Sequence, residues 1–214
     1  MIYPTFCVDN FLENPDEIVE YSKKLTFIKN PDGRWPGARV FLNEDPISKF
    51  LMQKICTVIH PHKTQNFCVQ FKSFFQKINN QYGNTGWIHA DSEDELTAII
   101  YLSKSKNCGT SLYEPKSFQS SPLHTEEKQN FYKTLKKSKN YDKCLKENNN
   151  QFEETAYFES LYNRLIIINS NQFHGVRNFN NKESDRLTFI SFIQTINDIN
   201  LKSGPLESKK LLTI

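Results

Sequence analysis

The chain has 214 residues, a length suited to a single domain with a sizeable hydrophobic core. Its formal charge of +3 is too small to imply nucleic-acid binding, and no apolar run is long enough to cross a membrane. Five cysteines (Cys7, Cys56, Cys68, Cys108 and Cys144) are odd in number, widely spaced and without a CxxC pair, which argues against a disulfide framework or structural zinc and for a reducing, cytoplasmic compartment.

Met1 to Thr5 lacks the basic start and apolar core of a signal peptide, and Tyr3 to Asp9 reads as a short strand. Asn14-Pro15-Asp16-Glu17 supplies a helix start, with a capping side chain, proline in the first turn and acids near the positive end of the dipole. That helix should run to about Leu25, with Ile18, Tyr21 and Leu25 on one face. Asn30 to Arg39, rich in Gly and Pro, reads as a loop. Asp45-Pro46 repeats the cap-plus-proline signature ahead of a helix bearing Phe50, Leu51, Ile55 and Val58. Residues 1–65 are thus expected to form a helical support.

From Asn66 the period becomes two. Phe67, Val69 and Phe71 alternate with Cys68, Gln70 and Lys72, a half-buried strand continuing towards Ile78. The stretch Tyr82-Gly83-Asn84-Thr85-Gly86 breaks it, and a strand-like run with His89-Ala90-Asp91 follows. Glu95 to Ser103 is a buried strand with Thr97, Ile99 and Tyr101 on one face, and a turn at Asn107 to Thr110 leads into Ser111 to Glu114. Residues 115–151 are dominated by Lys, Glu, Asn and Ser, with sparse apolar positions at Phe131, Leu135, Tyr141 and Leu145. They read as an insertion of one or two amphipathic helices, a solvated decoration too poor in apolar residues to stand alone. Strand signals resume at Asn163 to Asn169 and again from Arg186 to Ile196, before a loosely packed tail at 197–214. Several closely spaced strands behind helices point to a mainly β sandwich or jelly roll over residues 66–196, rather than alternating βαβ units.

Two segments carry the chemistry. Residues two apart in a strand share a face, so His89 and Asp91 present an imidazole and a carboxylate side by side. His174, far downstream in Asn171-Gln172-Phe173-His174-Gly175-Val176-Arg177, would complete two nitrogens and one anionic oxygen on one face of a metal. That is the facial triad of non-haem Fe(II) oxygenases, which leaves other positions open. Arg186, twelve residues after His174, opens an apolar run, where its guanidinium could grip a carboxylate with two hydrogen bonds.

With these residues in place, the chain resembles the Fe(II)/2-oxoglutarate-dependent dioxygenases, particularly their prolyl-4-hydroxylase-like branch, over roughly Tyr82 to Thr195 with a gap in the middle. The resemblance implies a double-stranded β-helix with the metal at the open end of the barrel. It implies Fe(II), 2-oxoglutarate and O2 as cofactors, with ascorbate as an aid, and release of succinate and CO2 as a substrate is hydroxylated. His89, Asp91 and His174 match the metal ligands, and Arg186 matches the anchor for the distal carboxylate of 2-oxoglutarate. Thr188 shares the face of Arg186 and could donate a hydroxyl; Tyr101 matches a family tyrosine that donates to the same carboxylate, and Tyr82 matches a second one upstream at shorter spacing. Cys108-Gly109 stands where the family has a Gly-Gly turn.

Other readings compete. Arg177 and Lys182 also follow His174 and are rival anchors, but Arg177 stands too near the metal end and Lys182 falls in a polar loop. Trp35, Arg39, Trp87 and Tyr113 are candidates for a substrate mouth, although most large aromatics serve packing. His60, His62 and His124 read as ordinary surface or loop histidines. The substrate is open among peptidyl proline, another amino-acid side chain, a small metabolite and a nucleobase, the near-neutral charge and lack of a basic stripe weighing against the last. The alternative function is a non-catalytic jelly-roll binding or structural module with a vestigial metal site, and a zinc hydrolase is weaker because no Glu stands beside the HxD motif as a general base.

Overall fold

The computed structural model describes residues 4–60, 67–82, 85–91, 95–104, 106–179, 185–198 and 212–213. Two antiparallel sheets form the frame. The larger one runs in the order β1 (Phe6–Val8), β8 (Leu165–Asn169), β5 (Leu96–Tyr101), β10 (Arg186–Asp198), β4 (Phe67–Ile78), β3 (Ala38–Phe41), β2 (Ile28–Lys29). A short β11 (Leu212–Thr213) pairs with Val69 and Cys68 of β4, so part of the expected tail joins the sheet. The smaller sheet runs β7 (Phe152–Phe158), β6 (Thr110–Pro115), β9 (Phe173–Val176). Mainly antiparallel β structure with four helices gives the jelly-roll-like fold.

The period-two alternation of β5 explains how one sheet serves two layers. Ala98 and Ile100 face a core cluster that includes Leu51, Met52 and Ile55 of α2 (Pro46–Ile59), while Ile99 and Tyr101 face the other way, with Phe74, Ile166 and Ile190. All six β5 residues are buried, so the strand reads as a continuous apolar run with one polar interruption at Thr97. Asp45 caps α2 by accepting from the Ile47 N–H at 2.8 Å, and Pro46 opens it, as the sequence signature implies. The first helix, α1 (Pro15–Lys23), presents Ile18 to the same core. No described helix is long and apolar enough to cross a membrane.

Four local expectations need correcting. Residues 28–41 are a β-hairpin rather than only a loop, which puts Arg39 on a strand opposite Gln76. Phe152–Phe158 is a strand that the polar composition around it concealed. Residues 85–91 form no regular strand; only His89 makes a ladder bridge, to His174. The expected helices of the insertion are α3 (Thr125–Thr134) and α4 (Tyr141–Asn149), but they are not a solvated decoration. Phe131, Tyr132, Tyr141 and Cys144 are buried in a second cluster with Tyr82, Trp87 and Phe179.

Candidate active site

His89 and His174 lie directly opposite each other and exchange both main-chain hydrogen bonds, at 3.0 and 2.8 Å. Opposed residues of an antiparallel pair send their side chains to the same face, and the two imidazoles sit with ring centres 4.6 Å apart. Gly86 permits this approach: its N–H donates to Val176 O at 2.8 Å, and a Cβ there would lie 2.8 Å from that same carbonyl. The Asp91 N–H is held by Ser170 O at 2.8 Å. The Asp91 carboxylate thereby reaches 3.4 Å from His174 Nε2 and 3.8 Å from His89 Nε2.

Each imidazole is oriented from behind. His89 Nδ1 contacts Trp87 O at 3.0 Å and His174 Nδ1 contacts Gln172 O at 2.8 Å. A carbonyl only accepts, so both Nδ1 atoms carry the proton and both Nε2 atoms turn to the cavity, an arrangement that fixes the tautomer of a metal-binding histidine. Burial, reinforced by His174 and Lys128, pushes the His89 pKa down to about 3, so this ring is neutral. Burial works to lower His174 as well, but the Asp91 carboxylate outweighs it and raises the pKa. For Asp91 burial opposes ionisation, yet His174, His89 and the Thr97 hydroxyl (2.9 Å) together hold its carboxyl well below the usual range. A divalent cation bound by these groups would compete with protonation of His174 and Asp91.

The donor set fits such an ion. Its ligand atoms all lie within 4.8 Å of one another. Metal–ligand bonds of about 2.0–2.2 Å at right angles would put donors about 3 Å apart, so the observed 3.4 and 3.8 Å need only small adjustment. A second group, His124, Cys144 and Glu147, also clusters between the insertion helices, but His124 already pairs with Glu147 at 2.9 Å near the surface.

Arg186 lines the same cavity, of about 270 Å³, and is 3% exposed. Its Nε donates to Cys108 O at 2.9 Å, the turn carbonyl where the Cys-Gly pair stands, and one terminal nitrogen is 3.5 Å from Thr188 Oγ1. Its guanidinium carbon lies 5.4 Å from the centre of the Tyr101 ring. Tyr101 in turn donates to Thr110 Oγ1 at 2.7 Å and also bonds Arg186. Tyr101 and Thr188 therefore touch the arginine rather than the open cavity. Burial lowers the pKa of Arg186 while Tyr101 and Cys108 oppose that shift.

Among the remaining candidates, Tyr82 does not line the cavity. Its ring packs edge-on against Phe131, Tyr132 and Phe179 and it hydrogen-bonds the backbone of Gly37, away from the cavity lining. Arg177 points elsewhere too, 3.7 Å from Glu154 and over the Tyr157 ring. Lys182 and His62 lie outside the described residues, and His60 caps the end of α2. Of the four mouth residues, Trp35 and Arg39 line the cavity. Trp87 also borders it, but its ring packs on Tyr141 and its Nε1 donates to the Tyr141 hydroxyl at 3.1 Å; Tyr113 does not border the cavity.

The insertion supplies what sequence reading missed. Asn149 Oδ1 accepts from the Ile88 N–H at 3.1 Å and its Nδ2 donates to Gly86 O at 3.0 Å, while Asn148 Nδ2 donates to Ile88 O at 3.2 Å. Two amides at the end of α4 thus satisfy backbone groups that a neighbouring strand would otherwise pair. From α3, Lys128 and Tyr132 line the cavity beside Arg34, Trp35 and Arg39. Thr97, whose hydroxyl fixes Asp91, was recoverable from its position on the Ile99–Tyr101 face of β5. Nothing in the local sequence of a polar helix singles out Lys128.

No curated protein matches the chain. Solved structures do share the fold. HygX from Streptomyces hygroscopicus, with nickel and 2-oxoglutarate bound, aligns at 12% identity over 89% of this chain and 83% of its own (TM-score 0.54). The non-haem α-ketoglutarate-dependent carbocyclase SnoK from nogalamycin biosynthesis aligns at 10% identity over 98% and 91% (TM-score 0.55). A prolyl hydroxylase from Trichoplax adhaerens, in complex with a hypoxia-inducible-factor peptide fragment, aligns at 13% identity over 89% and 83% (TM-score 0.53). At such identities the likeness is one of fold. A family model matches residues 3–193, taking in both histidine segments, the insertion and Arg186. The chain therefore belongs to DUF6445, a family of unknown function.

Proposed function

We propose that this protein is an Fe(II)- and 2-oxoglutarate-dependent dioxygenase that hydroxylates its substrate with release of succinate and CO2. The observation that carries the reading is the orientation of the two imidazoles. Both Nδ1 atoms are tied to main-chain carbonyls, both Nε2 atoms face Asp91, and a buried arginine opens into the same cavity. A ferrous ion there would supply the oxygen chemistry, with O2 and 2-oxoglutarate as co-substrates and ascorbate as a reducing aid.

The chain's own residues have distinct parts in this reading. His89, Asp91 and His174 would hold the metal, with coordination positions left for the co-substrates. Thr97 keeps the Asp91 carboxylate turned inward. Arg186 pairs with the distal carboxylate of 2-oxoglutarate, and Tyr101, Thr188 and the Cys108 carbonyl fix its fork so that little freedom is lost on binding. The apolar lining, Ile78, Ile99, Ile190 and Phe192, excludes water from the reacting centre. Within the superfamily, the prolyl-4-hydroxylase-like motif pattern favours a peptidyl side chain as substrate.

The test is a titration of the Mn(II)-loaded protein with 2-oxoglutarate, followed by succinate release from the Fe(II) form in air. Stoichiometric binding and slow turnover without substrate are expected. A protein that binds no 2-oxoglutarate would be a jelly-roll binding module instead.

A further inference from the structure

The cavity is far more cationic than metal and co-substrate binding require. Four cationic side chains line it (Arg34, Arg39, Lys128 and Arg186) against one carboxylate, Asp91. On the oxygenase reading, a divalent ion (+2), Asp91 (−1), Arg186 (+1) and 2-oxoglutarate (−2) sum to zero. Arg39, Lys128 and the more exposed Arg34 are then left over.

The leftover groups are less buried than Arg186: Arg39 and Lys128 are half-buried and Arg34 is exposed, which sets them towards the outside of the cavity. Arg39 stacks its guanidinium over the rings of Phe74 (4.0 Å) and Trp35 (4.6 Å), contacts that satisfy its faces but not its N–H groups. Its Nε is buried with no hydrogen-bond partner, and so is the indole Nε1 of Trp35 beside it. No carboxylate pairs with Arg39 or Lys128 among the described residues. The nearest negative charge that either one feels is Asp91. A metal bound to Asp91 would turn that attraction into repulsion, leaving two half-buried cations facing a third. Buried donors and charges without partners are costly, and a site retains them when a ligand completes them.

We propose that the outer wall is a second anion site, at which Arg39, Lys128 and the Trp35 N–H receive a carboxylate or phosphate group of the substrate. The inference deepens the oxygenase reading by naming the substrate class: a small acid, or a side chain bearing an acidic group, whose neighbouring carbon is presented to the metal. Arg186 serves the co-substrate at the inner end; Arg39 and Lys128 serve the substrate at the outer end. The insertion, through Lys128, is then a determinant of specificity.

Calorimetry on the full chain loaded with Mn(II) and 2-oxoglutarate would test this, using phenyl phosphate, N-acetylglutamate and the neutral N-acetylglutamine as probes. At least one of the two anions should bind tenfold or more tighter than the neutral probe, and which one decides between phosphate and carboxylate. Arg39→Gln and Lys128→Gln should each erase that preference, and Trp35→Phe, which keeps the ring but loses the N–H, should weaken it several-fold in a protein with an unchanged melting temperature. The metal-free Arg186→Gln variant should keep it. Equal binding of all three probes would overturn the proposal. So would an anion preference lost with Arg186→Gln but kept with Arg39→Gln, since the probe would then occupy the co-substrate position. Weaker 2-oxoglutarate binding in Arg39→Gln, with unchanged probe binding, would equally overturn it. The oxygenase reading fails separately, if the parent binds no 2-oxoglutarate; an Arg39-dependent anion preference in that same protein would still stand.

Discussion

The two walls of the cavity are built on different rules. On the sheet side, Thr97 and Tyr101 lie on β5, Thr188 and Arg186 on the neighbouring β10, and Thr110 on β6 in the smaller sheet. All have bonded polar atoms, Thr97 to Asp91 and Ser170 and the rest to one another or to the Cys108 turn. On the outer side, the β2–β3 hairpin and α3 deliver Arg39, Trp35 and Lys128 with donors left unmatched. A network whose members satisfy each other holds a fixed geometry, which suits a co-substrate that is the same at every turnover. A wall of unmatched donors is complete only with something bound, which suits a substrate.

The largest expected effect tests the junction of the two walls. His174→Ala removes one of the three proposed metal donors, and metal content after dialysis should fall to near zero; unchanged stoichiometry would dismiss the ligand set. Arg186→Ala comes next. Removing one partner of a buried charge pair costs on the order of 2–5 kcal/mol, so 2-oxoglutarate should bind at least about tenfold more weakly while metal affinity is kept. Asp91→Ala should give the reverse order, with metal lost first. If both variants lose both ligands together, the sheet wall is not a separate unit.

Asn149→Ala probes the insertion side. It leaves the Ile88 N–H and the Gly86 carbonyl without their partner, a loss of roughly 1–3 kcal/mol. Amide exchange should accelerate at Ile88 and His89 and metal affinity should drop, while the amides of β5 and β10 stay protected. Equal acceleration in both places would mean that α4 merely supports the fold. The smallest effect belongs to Tyr101→Phe, which deletes the hydroxyl bonded to Thr110 and Arg186. A net hydrogen bond is worth about 1 kcal/mol, so a several-fold weakening of 2-oxoglutarate binding is expected by calorimetry.

The sheet wall was legible in the sequence because its signals are local. Period-two runs mark β4, β5 and β10, an HxD pair and a distal histidine stand out by type, and Arg186 opens a strand. Tyr82 misled because its place before the Gly-rich break fits a motif, while its environment is set by Phe131 and Tyr132 some fifty residues on. The insertion misled for the converse reason. Its few apolar residues converge on Trp87 and Tyr82, and its asparagines replace a strand partner, but neither fact has any periodicity. Arg39 was named as a mouth residue by type alone; the strand that aims it was hidden by Gly33, Pro36 and Gly37, whose turn signals dominate a short hairpin.

The bridge between His89 and His174 also fixes when the site can exist. The two residues are 85 positions apart, and Asn149, which braces the first, lies between them. At a synthesis rate of roughly 5–20 residues per second, His89 and Asp91 wait about 4–17 s before the third donor has been made. Until then the nascent chain offers two donors without an opposing strand, too few to choose one metal over another. On the proposed reading, metal selection is a property of the finished fold, and chains stalled before residue 174 should carry no more metal than an unrelated nascent chain.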